Sequence, residues 1–126
     1  MPTDLVTLPG GTWSYAIVII DKGLVAGYSD IGTGYTHAVV WRKVGAAIEP
    51  TDLGTLPGGS WSVAYGVSDT GVVAGYSDNG AGYYHAVVWR KVGATAVPTD
   101  LGTLLGASSS FAYGINDMGQ VVGGGY

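Results

Sequence analysis

The chain has 126 residues, among them 23 glycines, 5 prolines and no cysteine, with 47% apolar residues, only 11% charged ones and a net charge of −4. So few charges leave little to solvate helix surfaces, which excludes an all-helical fold, and the apolar fraction argues against disorder. The clustered basic residues are two isolated dipeptides, Arg42, Lys43 and Arg90, Lys91, so no nucleic-acid partner is expected; without cysteine there is neither a disulfide framework nor a thiolate metal site; and the longest apolar run, Ala16 to Ile20, is too short to cross a bilayer.

An internal repeat organises the chain. Offset by 48, residues 2–49 map onto residues 50–97 with 33 of the 48 positions identical, and residues 98–126 begin a third copy. The whole of 1–126 therefore reads as a single repeat array of about 2.6 units. The N-terminus, MPTDLVTLPGG, carries neither the basic segment nor the apolar stretch of a signal peptide. A start so close to a repeat boundary reads as an excised fragment or a minimal repeat unit.

Taken in chain order, the first expected element is a strand over Thr3 to Leu8. In the complete second copy four extended segments follow, at Ser62 to Ser68, Val72 to Ser77, His85 to Val92 and Thr99 to Leu104, each rich in the Val, Tyr, Trp and Thr that suit a pleated sheet. Pro57, Gly58, Gly59 marks the passage between units. Asp69, Thr70, Gly71 and Asp78, Asn79, Gly80 read as tight turns, and Gly93 to Pro98 as the third connection. The C-terminal strands are expected at Phe111 to Asn116 and Val121 to Gly124.

Four short strands per 48 residues is the arithmetic of a β-propeller blade. In His85 to Val92 both alternating faces are apolar, as in a sheet sandwiched between neighbours. Ala64, Tyr65, Gly66, Val67 is rich in small residues and suits a crowded innermost strand. The expected fold is thus all-β, with four-stranded blades running outward from Ser62–Ser68. Eleven strands make nearly three blades, too few to close a ring of 4 to 8. Closure by a second copy, giving a six-bladed homodimer, is the leading expectation; a β-solenoid is the alternative.

The pattern DLGTLPGG, then AYGV with Asp69 and Gly71, then HA and Trp, resembles the HAF repeats of bacterial extracellular proteins. It is carried by Asp52 to Gly58, Ala64, Tyr65, Gly66, Asp69, Gly71, His85, Ala86 and Trp89, with His37, Ala38 and Trp41 matching in the first copy. The Phe of the family pattern is Val39 and Val87 here, Ile17 and Val18 replace Tyr-Gly, and Leu105 stands where Pro is expected. The resemblance implies a bacterial repeat protein in an extracellular or cell-surface setting. It implies no catalytic activity.

Chemically active residues are sparse. His37 and His85 are the general-base candidates, but they occupy equivalent strand positions with no acid–base set around them, so no enzyme is expected. Asp21, Asp69 and Asp117 supply one carboxylate per loop, which fits turn stabilisation better than calcium; no metal and no cofactor are expected. The remaining binding equipment is aromatic. Trp41 and Trp89, in mid-strand, are expected to wedge blade against blade. Trp13 and Trp61 follow a Pro-Gly-Gly turn, and Tyr35, Tyr83 and Tyr84 precede the His strands, placing them near a rim beside His37 and His85. Exposed aromatics next to polar groups suit a sugar ring. Two readings result: a non-enzymatic scaffold that associates with itself, and a multivalent lectin-like module that binds glycans.

Overall fold

The computed structural model describes residues 4–92 and 95–125. These contain no helix and form ten strands: β1 Ser14–Ile19, β2 Val25–Asp30, β3 Thr36–Val44, β4 Ala47–Gly54, β5 Ser62–Val67, β6 Val73–Asp78, β7 Tyr84–Val92, β8 Thr95–Asp100, β9 Ser110–Ile115 and β10 Val121–Gly125. All pairing is antiparallel. The first sheet has the order β1-β2-β3-β4, the second β5-β6-β7-β8, and the third is the hairpin β9-β10. The three sheets pack face to face in chain order.

Registers repeat with the sequence. Val25 pairs with Trp41 and, 48 residues on, Val73 pairs with Trp89. The first pairing of each sheet slips at the same place, between Ala16 and Val18, Ala64 and Gly66, and Ala112 and Gly114. Beside that slip only glycine fits: a Cβ on Gly75 would lie 1.9 Å from the carbonyl oxygen of Val63. Where the second and third sheets converge, a Cβ on Gly66 would sit 3.1 Å from the Cα of Gly114. The small residues of the first strand in each unit thus allow backbones of adjacent sheets to approach closely.

Between the first and second sheets Ala26, Ala38, Val40, Leu53, Leu56, Ala64, Val67, Val73, Val87 and Trp89 form one buried cluster. Ala74, Ala86, Val88 and Ala112 form another between the second and third. Trp41 and Trp89 are both fully buried, each against the segment that enters its sheet from the preceding unit. Serine clasps tie the sheets together. The Ala38 amide donates to Ser62 Oγ at 2.8 Å and that hydroxyl donates to the Gly54 carbonyl at 2.7 Å. The same pair of bonds joins Ala86, Ser110 and Gly102 at 2.8 and 2.6 Å.

Three expected elements are placed differently. Of the strand expected at Thr3 to Leu8, Thr3 lies outside the described residues and 4–8 form no strand, because no third strand of a preceding sheet runs beside them. They cross the face of the first sheet instead: Leu5 and Leu8 pack on Trp41, and the Leu8 amide donates to Ser29 Oγ at 3.0 Å. Leu53 and Leu56 do the same toward Trp89. The outer strand of the second unit is Thr95–Asp100, not Thr99 to Leu104. Of the connection expected at Gly93 to Pro98, Gly93 and Ala94 lie outside the described residues, while Thr95 to Pro98 are already in β8. Proline is accommodated there because β8 is an edge strand.

The hairpins also use a different polar residue from the one expected. At 68–72 it is Ser68, not Asp69, whose side chain accepts the Val72 amide at 3.2 Å. Asn116 does the same for Met118 and Gln120, both at 3.0 Å. Asp78 behaves as expected, accepting the Gly80 amide at 2.9 Å, and its equivalent Asp30 accepts the Gly32 amide at the same distance.

Candidate functional site

The rim aromatics are set by two recurring loops. One is the turn after Pro9 and Pro57, closed by the Gly11 amide on the Leu8 carbonyl and the Gly59 amide on the Leu56 carbonyl, both 2.9 Å. The other precedes β3 and β7, closed by the Ile31 amide on Tyr35 and the Asn79 amide on Tyr83 at 3.2 and 3.1 Å. Asp30 holds the two loops of the first unit together: its carboxylate also accepts the Thr12 amide and hydroxyl at 3.1 and 3.0 Å. Those bonds, led by the Gly32 amide and then Thr12, hold the carboxyl below its usual range.

One pair of rings is assembled across two sheets. Tyr35, from the loop before β3, meets Trp61, just before β5, edge to face at 5.5 Å and 82°. Both rings are exposed. Trp13 stays within its own sheet, edge-on to Tyr15 at 5.6 Å and to Tyr28 at 6.0 Å. Tyr83 is exposed, and the place of a Trp opposite it is taken by Ser109. Tyr84 does not sit in the loop; it is the first residue of β7 and turns onto Tyr76 at 5.4 Å and Phe111 at 6.1 Å. The seven residues therefore yield one exposed aromatic pair and no repeated platform.

His37 and His85 are engaged within their own sheets. His37 Nδ1 lies 2.9 Å from Asp52 Oδ1, and His85 Nδ1 lies 2.9 Å from Asp100 Oδ2. The 15-residue separation hid these pairs in the sequence, but strand pairing of β3 with β4 and β7 with β8 brings them together. Burial pushes the Asp52 carboxyl up, and the bonds from His37 and the Gly54 amide with the His37 charge outweigh it, leaving it below the usual range. Among the described residues no group of three His, Asp or Glu is placed to hold a metal ion.

Two features had no clear sequence signal. The first is a row of rings over the first strands of the units: Tyr65 on Tyr76 at 5.7 Å, Tyr65 on Tyr113 at 5.3 Å, and Tyr76 on Phe111 at 4.8 Å. Burial, then the neighbouring Tyr65 hydroxyl, drives the Tyr76 phenol well above its ordinary range. The second is a basic hollow beside the β1–β2 and β5–β6 turns, lined by Lys22, Arg42, Lys43 and Asp69 and sharing Leu24, Arg42 and Gly71 with a narrower cavity that reaches Trp89 and Arg90. The equivalence of Arg42 and Arg90 in the repeat was visible, but not their convergence across a sheet boundary. No protein-family model, curated protein or solved structure matches the chain.

Proposed function

We propose that the chain is a non-enzymatic repeat scaffold whose sheets are blades of a β-propeller, completed when two copies close one ring of about six blades in an extracellular or cell-surface setting. The observation that carries this reading is what the two end faces expose. The repeat supplies its own control: Val67 on β5 is 4% exposed, whereas its equivalent Ile19 on β1 is 70% exposed. At the other end Val122 on β10 is 67% exposed, whereas its equivalent Ala74 on β6 is fully buried. Side chains that form the core between internal sheets are thus left open at both ends. A single copy leaves this apolar surface in water. Placing the first sheet of one copy on the third sheet of another would bury both faces by the contacts already used inside the chain, and two such contacts around a two-fold axis close the ring.

Light scattering on folded protein tests it. The expected mass is about twice the 12.8 kDa of the chain, and a monodisperse folded monomer overturns the reading.

A second reading, glycan binding, is favoured by the Tyr35–Trp61 pair, two exposed rings at right angles drawn from adjacent sheets. Calorimetry against sugars identified on a glycan array, with Trp61→Ala as the control, decides it. Heat that Trp61→Ala removes supports the reading, and a blank array ends it.

A further inference from the structure

Trp41 and Trp89 are equivalent residues with unequal partners. Trp41 Nε1 donates to the Val6 carbonyl at 3.0 Å. The equivalent carbonyl, that of Gly54, accepts Ser62 Oγ at 2.7 Å but not the Trp89 indole. Trp89 is 1% exposed and its Nε1 has no acceptor; the buried Arg42 Nε has none either. Both residues line the same cavity of about 30 Å³ between the first and second sheets. Buried donors left unpaired cost roughly 1–3 kcal/mol each, so an atom with lone pairs belongs in that space.

Size and charge choose the ligand. One water needs roughly 10–15 Å³ of such space, so the cavity holds a group of two or three heavy atoms and no sugar ring. Its walls are mostly apolar, from residues such as Leu24, Val73 and Ala96, while Thr51 and Arg90 add polar groups. Water would answer the two N–H groups but not the guanidinium charge. Among the described residues no lysine or arginine has an ion-pair partner; the pairs present are His37–Asp52 and His85–Asp100. Of the chain's five basic residues, four (Lys22, Arg42, Lys43 and Arg90) border this cavity or the wider hollow of about 460 Å³ that adjoins it. Asp69 is the one carboxylate on the wider hollow, opposing Lys22.

We propose that this cleft is a binding site for a small organic acid, with the carboxylate held between Arg42 and the Trp89 indole N–H and the rest of the molecule leaving toward Lys22 and Lys43. A planar carboxylate can take the guanidinium through one oxygen and the indole through the other, and an ionised acceptor makes each bond stronger than water would. The site lies within one chain and does not depend on ring closure.

Titration with acetate at constant ionic strength, set with sodium chloride and followed by tryptophan fluorescence and calorimetry, tests the proposal. Saturable acetate binding is expected, with no response to chloride. Loss of a charge-assisted bond makes Arg42→Met at least about tenfold weaker. Trp89→Phe removes the second donor and weakens binding too; should it fail to fold by circular dichroism, Arg90→Met at the mouth takes its place, with about threefold weaker binding expected from a partly screened charge. No saturable response to 100 mM acetate, an equal response to chloride, or an Arg42→Met affinity within twofold of the parent each overturns it.

Discussion

The imidazole of His85 is latched to the carboxylate of Asp100, Nδ1 to Oδ2 at 2.9 Å, across the last two strands of the second sheet. Asp100 in turn accepts the Gly102 amide at 2.7 Å, so one carboxylate fixes both a histidine and the exit of β8. The identical arrangement of His37, Asp52 and Gly54 makes this a structural joint of the repeat.

That joint gives the fold an acid limit. The Asp52 carboxyl titrates below its usual range in the folded chain, so its contribution to stability is complete above the unfolded value of about 4 and is lost as pH falls through the lower folded value. Asp52→Asn should flatten the loss of stability below about pH 4. The pair is substantially solvent-exposed, so the difference at neutral pH is expected to be about 0.5 kcal/mol. Urea denaturation at a series of pH values measures it.

The clasp serine is worth more. Ser62→Ala strips partners from both the Ala38 amide and the Gly54 carbonyl at a sheet boundary, and should destabilise by about 2–3 kcal/mol. Ser14→Ala is its internal control: the equivalent hydroxyl is exposed and reaches only the Val6 carbonyl, at 3.3 Å, so a change below about 0.5 kcal/mol is expected. Equal midpoints for the two variants in chemical denaturation would show that the clasp contributes little.

Val6 carries backbone strain. Its φ of +63° belongs to the left-handed region, and the equivalent positions, Gly54 and Gly102, are glycines at +73° and +74°. A left-handed conformation costs a branched residue roughly 1–2 kcal/mol, and glycine gives back roughly 0.5–1 in unfolded-state entropy. Val6→Gly should therefore raise stability by about 0.5–1 kcal/mol, visible as a higher Tm. A lower Tm would mean that the Val6 side chain contributes more than its strain costs.

Asp69 and Asp117 crowd one another where the second and third sheets meet. The Asp69 amide donates to Asp117 Oδ1 at 2.7 Å, and the side-chain contact with Asp117 pushes the Asp69 carboxyl above its usual range, with burial adding to it. A raised carboxyl pKa means that ionisation opposes folding, so the penalty is present at neutral pH and relieved as pH falls through the folded value. Asp69→Asn should raise Tm at pH 7, and the gain should shrink toward pH 4. A gain independent of pH would point to a cause other than charge.

The sheet order was legible because the 48-residue repeat placed equivalent glycines at every turn, and the small residues around Gly66 marked the crowded strand. Pro98 misled the reading of β8, since proline signals a break unless the strand lies at an edge, and edge position is a property of the assembled sheet. Burial of Trp41 and Trp89 was readable from strand alternation. Their inequality was not: the sequence gives both the same neighbours, and only the hydrogen bonds around Val6 and Gly54 separate them. The Tyr35–Trp61 contact likewise spans two sheets, which no local pattern encodes.

The serine clasp also governs how such a chain can change length. Ser62 completes a backbone amide and a carbonyl belonging to the sheet before it, so each unit finishes its predecessor and presents an unfinished boundary to its successor. Duplication or loss of one 48-residue block preserves every clasp and every interface, and stability changes by one unit and one junction. A deletion of any other length strands a serine away from its amide. Recombination between the near-identical copies keeps that register, so the number of units can drift while the joint between them stays fixed.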